Sequence, residues 1–269
     1  MHAIAQKIRL HTLEMVDLAQ ASHIGSCFSI IDILAVLYFS ILKIDPLYPR
    51  LPNRDRCIFS KGHAAAALYA TLAERGFFPL EKLKSFCQEG SELLGHVSHK
   101  VPGVECSTGS LGHGLSIGCG MALAEQRENL GFHTFVILSD GELNEGSTWE
   151  AVLFGGHHQL SRLTVIIDYN KIQSFGRTSE VLDLEPLDKK FEAFNWDVIQ
   201  IEGHHYTQIE QALSKEERKK PKVVIAHTIK GKGVSFMENT LKWHYKNPDP
   251  EQYMLAKKEL CEPPLSTVF

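Results

Sequence analysis

Near-unbroken runs of Val, Ile and Leu recur through the second half of this 269-residue chain, and they limit its possible folds more than any other feature. FVILS (135–139), LTVIID (163–168), WDVIQI (196–201) and KVVIAHT (222–228) are short, β-branched and largely apolar on both alternations, as strands buried on two faces must be. Helix-like segments separate them, including TWEAVLFGGHHQL (148–160) and the stretch around Tyr206 to Leu213. Doubly buried strands alternating with helices predict a mainly parallel sheet covered on each side, a three-layer α/β/α fold forming one domain over residues 1–269. Upstream, CIFS (57–60) predicts a further strand, and AAAALYATLAER (64–75) a helix stopped by Gly76. Ile4, Ile8, Val16 and Ala19 predict an opening helix running towards Ser22. Ser29 with Asp32 three residues later predicts a capped start for a second helix, with an apolar body from Ile30 to Leu42. A last helix is expected around Tyr253 to Leu260.

Composition narrows the function classes. With 43% hydrophobic and 22% charged residues and a formal net charge of −4, the chain offers no basic surface for nucleic acid. Its basic run, Lys215 to Lys222, reads as a solvated helix end. No segment approaches the roughly 20 apolar residues of a membrane span, and the amino terminus lacks the apolar stretch of a signal peptide. The six cysteines form no CxxC pair and several sit in apolar or Gly-rich contexts, which predicts reduced thiols and a cytoplasmic setting. Fourteen histidines are either scattered or gathered into an imidazole-rich site.

In parallel sheets, ligands bind beyond the carboxyl ends of the strands. Asp140-Gly141-Glu142-Leu143-Asn144-Glu145-Gly146 follows FVILS, and Asp168-Tyr169-Asn170-Lys171-Ile172 contains the end of LTVIID. Asp140 and Asn170 lie 170 − 140 = 30 residues apart, enough for one strand–helix–strand crossover that would bring both to one cation. A carboxylate, an amide oxygen and a loop carbonyl are hard donors suited to Mg²⁺ or Ca²⁺, and so few carboxylates leave coordination positions for substrate phosphates. Gly141 would let backbone N–H groups approach a diphosphate. A helix–loop–helix calcium site fails on the residues: positions six and twelve counted from Asp140 are Glu145 and Ala151, where Gly and Glu are required. Gly109-Ser110-Leu111-Gly112-His113-Gly114 is not a GK[ST] phosphate loop and suits close helix packing, while Gly231-Lys232-Gly233 reads as a turn.

Seven segments occur in the order found in one family: SHIG (22–25), SKGH (60–63), GH (95–96), PGVECSTGSLGHG (102–114), SDGELNEG (139–146), DYNKI (168–172) and WH (243–244). Together they resemble transketolases, the metal pair being similar to the thiamine diphosphate signature with Ser139 in place of its first glycine. The resemblance implies a thiamine-diphosphate-binding fold in which Asp140, Asn170 and the Ile172 carbonyl hold the metal and Gly141 contacts the diphosphate. It places Gly109 and Leu111 beside the aminopyrimidine. His23, His63 and His244 line the thiazolium and donor-sugar site, His63 and His244 also near the diphosphate, and His96 meets substrate hydroxyls. Glu145 resembles the interfacial acid that touches the catalytic Glu of the opposite protomer. Ser110 and His113 depart from the family's usual Pro and Gln, and Tyr245 follows His244 where Gly is common.

In this family the cofactor performs the carbon–carbon cleavage and the protein supplies position and electrostatics. Imidazoles suit proton movement at sugar oxygens near neutral pH. The family's pyrimidine-binding and C-terminal domains find no counterpart in the sequence and are expected on a second subunit, two of each forming a heterotetramer. The implied activity is transfer of a two-carbon ketol unit from a ketose or its phosphate to an aldose or other aldehyde. A component of a 2-oxo-acid decarboxylating dehydrogenase, an enzyme like deoxyketose-phosphate synthase and a non-catalytic cofactor-binding protein remain alternatives.

Overall fold

The computed structural model describes residues 1–261. In chain order, its first part comprises α1 (His2–Ala19), α2 (Ile24–Val36), β1 (Arg56–Phe59), α3 (Ala65–Arg75), α4 (Gly114–Glu128), β2 (Thr134–Ser139), α5 (Gly146–His157) and β3 (Leu163–Tyr169). A two-residue hairpin, β4 (Ile172–Gln173) and β5 (Gly176–Arg177), follows. Then come α6 (Thr178–Val181), α7 (Leu187–Ala193), β6 (Asp197–Glu202), α8 (Tyr206–Leu213), β7 (Lys222–His227) and α9 (Pro250–Cys261). Five strands pair in parallel in the order β1-β2-β3-β7-β6. The predicted strands and helices of the second half are therefore present, and β7 inserts between β3 and β6 rather than extending the sheet.

Period-two alternation divides the core. Phe135 and Ile137 of β2 join Ile166 and Val224 in the layer beneath α1, α2, α3, α8 and α9. Val136 and Leu138 join Val165, Ile167, Val223 and Ile225 beneath α4, α5 and α7. This is the expected α/β/α sandwich, held by apolar burial at roughly 25 cal/mol per Å² of surface removed from water. Gly118 lets α4 lie against the sheet, because a Cβ there would overlap the Val136 side chain.

Three expectations are corrected. Ser29 does not cap α2, which begins at Ile24 with His23 as N-cap. Ser29 and Asp32 lie within the helix and are buried, their side chains engaged with Asp168 and Arg9. The run Ile24–Ile41, which ends in a π-turn at Leu37–Ile41, is long and apolar enough to cross a membrane, contrary to the sequence reading. Of this window 83% is buried inside the protein, and α2 packs on α1, α3 and α8, the usual reason for a helix apolar on all sides. Finally, Lys215–Lys222 is not a helix end. α8 stops at Leu213, and Lys222 opens β7 fully buried, its ammonium donating to the Ala212 and Ser214 carbonyls at 2.5 and 2.9 Å.

Candidate active site

The register sets Ser139 opposite Asp168, so the turns after β2 and β3 emerge side by side. They are fastened to each other: Asp140 Oδ2 accepts the Lys171 N–H at 2.6 Å, and Oδ1 accepts from Gly141 N at 2.8 Å. Lys171 takes a left-handed conformation (φ 66°), which reverses the chain so that Asn170 Oδ1 accepts from Ile172 N at 3.1 Å. Asp140, Asn170 and Ile172 thus line one cavity of about 330 Å³, as the 30-residue spacing predicts. Burial, reinforced by the Asp168 charge, pushes the Asp140 carboxyl up to about 6, and a cation beside it would reverse that shift. Among the described residues no cluster of three His, Cys, Asp or Glu side chains could hold a metal. The three oxygens therefore suit a cation that completes its shell from a phosphate rather than from protein.

Two lysines enter the same cavity. Lys230, after β7, donates to the Ile172 carbonyl at 2.7 Å and lies 3.0 Å from His244 Nδ1, so that carbonyl oxygen already faces a positive charge. Lys61, after β1, is fully buried and ion-paired with Asp168, and it also donates to Ser26 O at 2.6 Å. Burial alone would raise the Asp168 carboxyl. The Lys61 ammonium and the hydroxyls of Ser29 and Thr228 hold it below its ordinary value. Burial and Lys61 bring Lys230 down to about 8.

Four imidazoles close the other side. Ring centroids of His23 lie 5.3, 5.9 and 5.1 Å from those of His63, His96 and His244, and His63 lies 5.8 Å from His244. His23 holds a left-handed backbone (φ 73°), a conformation costing about 1–3 kcal/mol in a non-glycine residue. Its N–H donates to His244 O at 3.0 Å, tying the start of α2 to the turn before Tyr245. Burial, then the nearby charges, lowers His23 to about 4 and His244 to about 3, and pushes His63 well below the ordinary imidazole value. The three rings are neutral at pH 7.

The Gly-rich loop forms the remaining wall. A Cβ on Gly62 would sit 2.7 Å from Gly109 N, and one on Gly109 3.1 Å from His96 Cδ2, so these close approaches require glycine. Gly109 and Leu111 line the cavity, and so does Glu145, the exposed N-cap of α5. The buried Glu142 carboxylate accepts from Ser60 Oγ and from Gly112 N, fixing this loop to the β2 turn. His113 is exposed and contacts the Leu111 carbonyl. Tyr245 instead lines an adjoining cleft of about 320 Å³ that shares His23 and His63 with the first cavity and adds His96, Phe86 and Cys87.

The structure therefore brings together His23, His63, His96, Gly109, Leu111, Asp140, Gly141, Glu145, Asn170, Ile172 and His244 across these two adjoining cavities, while His113 lines neither. The sequence reading missed Ser26, Lys61, Lys230 and Glu142. Lys230 was detectable, since it closely follows an apolar strand whose carboxyl end must face the same crevice as β3. The donor set and the glycine-shaped cradle fit a divalent cation bound with a diphosphate.

Comparison with known proteins agrees with this geometry. Residues 1–264 match the family model described as transketolase, thiamine diphosphate binding domain. One of the paired subunits of the apulose-4-phosphate transketolase of Phocaeicola vulgatus is 42% identical over 260 residues, covering 96% of this chain and 92% of the relative. The 6-deoxy-6-sulfo-D-fructose transketolase subunit SqwG of a Clostridium species is 42% identical over 259 residues, covering 95% and 94%. The solved transketolase of Leishmania mexicana superposes with a TM-score of 0.91 at 31% identity, covering 98% of this chain but 42% of that one.

Proposed function

This chain belongs to the transketolase family, and on that premise we propose that it is the diphosphate-binding subunit of a two-chain transketolase. The activity is transfer of a two-carbon ketol unit from a ketose or ketose phosphate to an aldose or other aldehyde. One observation carries the reading: the Asp140–Asn170–Ile172 oxygens share a cavity with neutral imidazoles from separate segments of the chain.

Asp140, Asn170 and the Ile172 carbonyl hold Mg²⁺ or Ca²⁺, and the Gly141 N–H, His63, His244 and Lys230 face the diphosphate. When bound, thiamine diphosphate supplies the nucleophilic carbon that cleaves the sugar's carbon–carbon bond. His23, His63 and His244, being neutral, can each accept a proton from a sugar hydroxyl or donate a hydrogen bond to a carbonyl oxygen as charge develops there. His96 binds substrate hydroxyls in the adjoining cleft, whose lining contains no Lys, Arg, Asp or Glu among the described residues. Such a neutral, hydrogen-bonding wall suits a polyol chain, and recognition of a phosphate end then falls to another surface.

Gly109 and Leu111 border the aminopyrimidine, and Glu145 on the rim meets a carboxylic acid of the partner. Relatives of matching length are named as subunits, which supports a second chain carrying the pyrimidine-binding domain, two copies of each forming a heterotetramer. The free thiols agree with a cytoplasmic setting. Mixing the chain with its partner should produce metal-dependent ketol transfer absent from either alone. Asp140→Ala should abolish metal-dependent thiamine diphosphate binding by calorimetry. Unchanged binding would refute the ligand assignment, and pyruvate turnover without a sugar donor would favour a decarboxylating enzyme.

A further inference from the structure

After β7 the chain must leave the sheet and deliver Lys230 to the cavity, yet β6 gives that exit no partner. Glu202, the last residue of β6, is in register with His227, and Gly203 N still reaches His227 O at 2.8 Å. Beyond it the Ile229 N–H would be left without a strand carbonyl. A side chain takes that place: His204 Nε2 accepts from Ile229 N at 2.8 Å. A ring nitrogen that accepts a backbone N–H carries no hydrogen, so the ring is the neutral tautomer with its hydrogen on Nδ1. Nδ1 lies 2.7 Å from Asp32 Oδ2, to which it donates.

Asp32 is 3% exposed. It also accepts from the Arg9 guanidinium at 3.1 and 2.6 Å and from the Tyr206 hydroxyl at 2.8 Å. The imidazole is therefore locked in one orientation, with its bare nitrogen aimed at a single N–H. On the other side of Lys230, Gly231 N donates to Gly25 O at 2.9 Å, in a turn (φ 79°) where a Cβ would strike the Met237 backbone. Lys230 is thus bracketed by two main-chain anchors, one of them made by a side chain from outside its own segment. His204 itself opens onto a different cleft, of about 290 Å³, shared with Arg9, Asp32 and Tyr206.

We infer that His204 is a positioning residue: held by Asp32, it fixes the Ile229 main chain and so aims the Lys230 ammonium into the diphosphate cavity. What Lys230 meets there rests on the proposed function; the fixing of residues 228–230 does not.

The test compares four variants of the full chain by amide hydrogen exchange at residues 228–230, and by calorimetric titration of thiamine diphosphate with Mg²⁺ in the presence of the partner chain. His204→Ala strands a buried N–H and should speed exchange and weaken cofactor affinity, each by about tenfold. His204→Gln, whose amide oxygen reaches the Nε2 position, should restore both to within about threefold. His204→Asn, too short to reach Ile229, should not. Tyr206→Phe removes a bond to the same Asp32 carboxylate without touching Ile229 and should leave both readouts at wild-type values. Equal losses in the Gln and Asn variants, or a Tyr206→Phe variant as impaired as His204→Ala, would show generic support of the fold and overturn the inference. Wild-type protein that binds no cofactor would count against the proposed function, while the exchange series would still decide the role of His204.

Discussion

Lys61→Met isolates the electrostatics of the buried centre. Lys61 and Asp168 are both 0% exposed and form an ion pair, and methionine keeps most of the side-chain volume while deleting the charge. Asp168 would retain the hydroxyls of Ser29 and Thr228 but lose its counter-ion. Leaving one member of a buried pair uncompensated costs about 3–5 kcal/mol, a large share of the roughly 5–15 kcal/mol that holds a domain folded. For a chain of this size the midpoint of thermal unfolding should fall by roughly 10 °C. Replacing both partners should be milder than replacing Lys61 alone, so Lys61→Met/Asp168→Asn should recover at least about 2 kcal/mol as coupling energy.

The pH dependence has a definite sign. In the wild type Asp168 lies below its ordinary value because Lys61 and the hydroxyls together outweigh burial, so its stabilisation is present above the unfolded carboxylate pKa and is lost only in strong acid. Without Lys61, burial dominates and the folded-state value rises above the unfolded one. The variant's penalty then exists at neutral pH and shrinks as pH falls and Asp168 takes up a proton. Urea unfolding followed by tryptophan fluorescence at pH 8, 7, 6 and 5 measures this. A loss below about 1 kcal/mol at pH 7, an additive double mutant, or a gap between variant and wild type that does not narrow towards pH 5 would each refute the reasoning.

Two further predictions are independent of the cofactor and of the ion pair. His133, 7% exposed at the amino-terminal end of β2 and bonded to Thr164, is lowered to about 3 by burial. Its folded form resists protonation, so stability should fall as pH drops below about 6.5, and His133→Gln should reduce the loss between pH 6.5 and 5 by roughly 2 kcal/mol; an unchanged acid slope would count against this. Tyr245→Gly opens the cleft beside His244, whose ring lies 4.8 Å from the tyrosine ring. It should raise kcat/KM for long relative to short aldehyde acceptors by about tenfold without altering cofactor affinity, and a ratio within about twofold of wild type would reject Tyr245 as a specificity residue.

Most of the sheet was legible because a strand buried on both faces has few compositions to choose from: FVILS, LTVIID and KVVIAHT can hardly be anything else. The metal turns were legible for a related reason, since two polar turns at crossover spacing must emerge together. The start of α2 was not. Ser29 and Asp32 imitate a local cap, but their partners, Asp168 and Arg9, are 139 and 23 residues away, and no local pattern reports bonds of that range. His23 gives no helix-start signal either, because its left-handed backbone is imposed by its surroundings. The lysines were misread for one shared reason. Lysine is solvated by default, and Lys61, Lys222 and Lys230 are buried only because β7 inserts beside β3 out of chain order.

The bond from the His23 main chain to the carbonyl of His244 has a temporal consequence. It joins points 244 − 23 = 221 residues apart, so loop closure over nearly the whole polypeptide precedes it. The apolar layers can condense while the last helix is still unstructured, but the imidazole cup is then missing its final side and His23 is free to relax to an ordinary backbone. A nick or frameshift near residue 240 should therefore yield a chain that still collapses around its sheet and is nonetheless chemically mute.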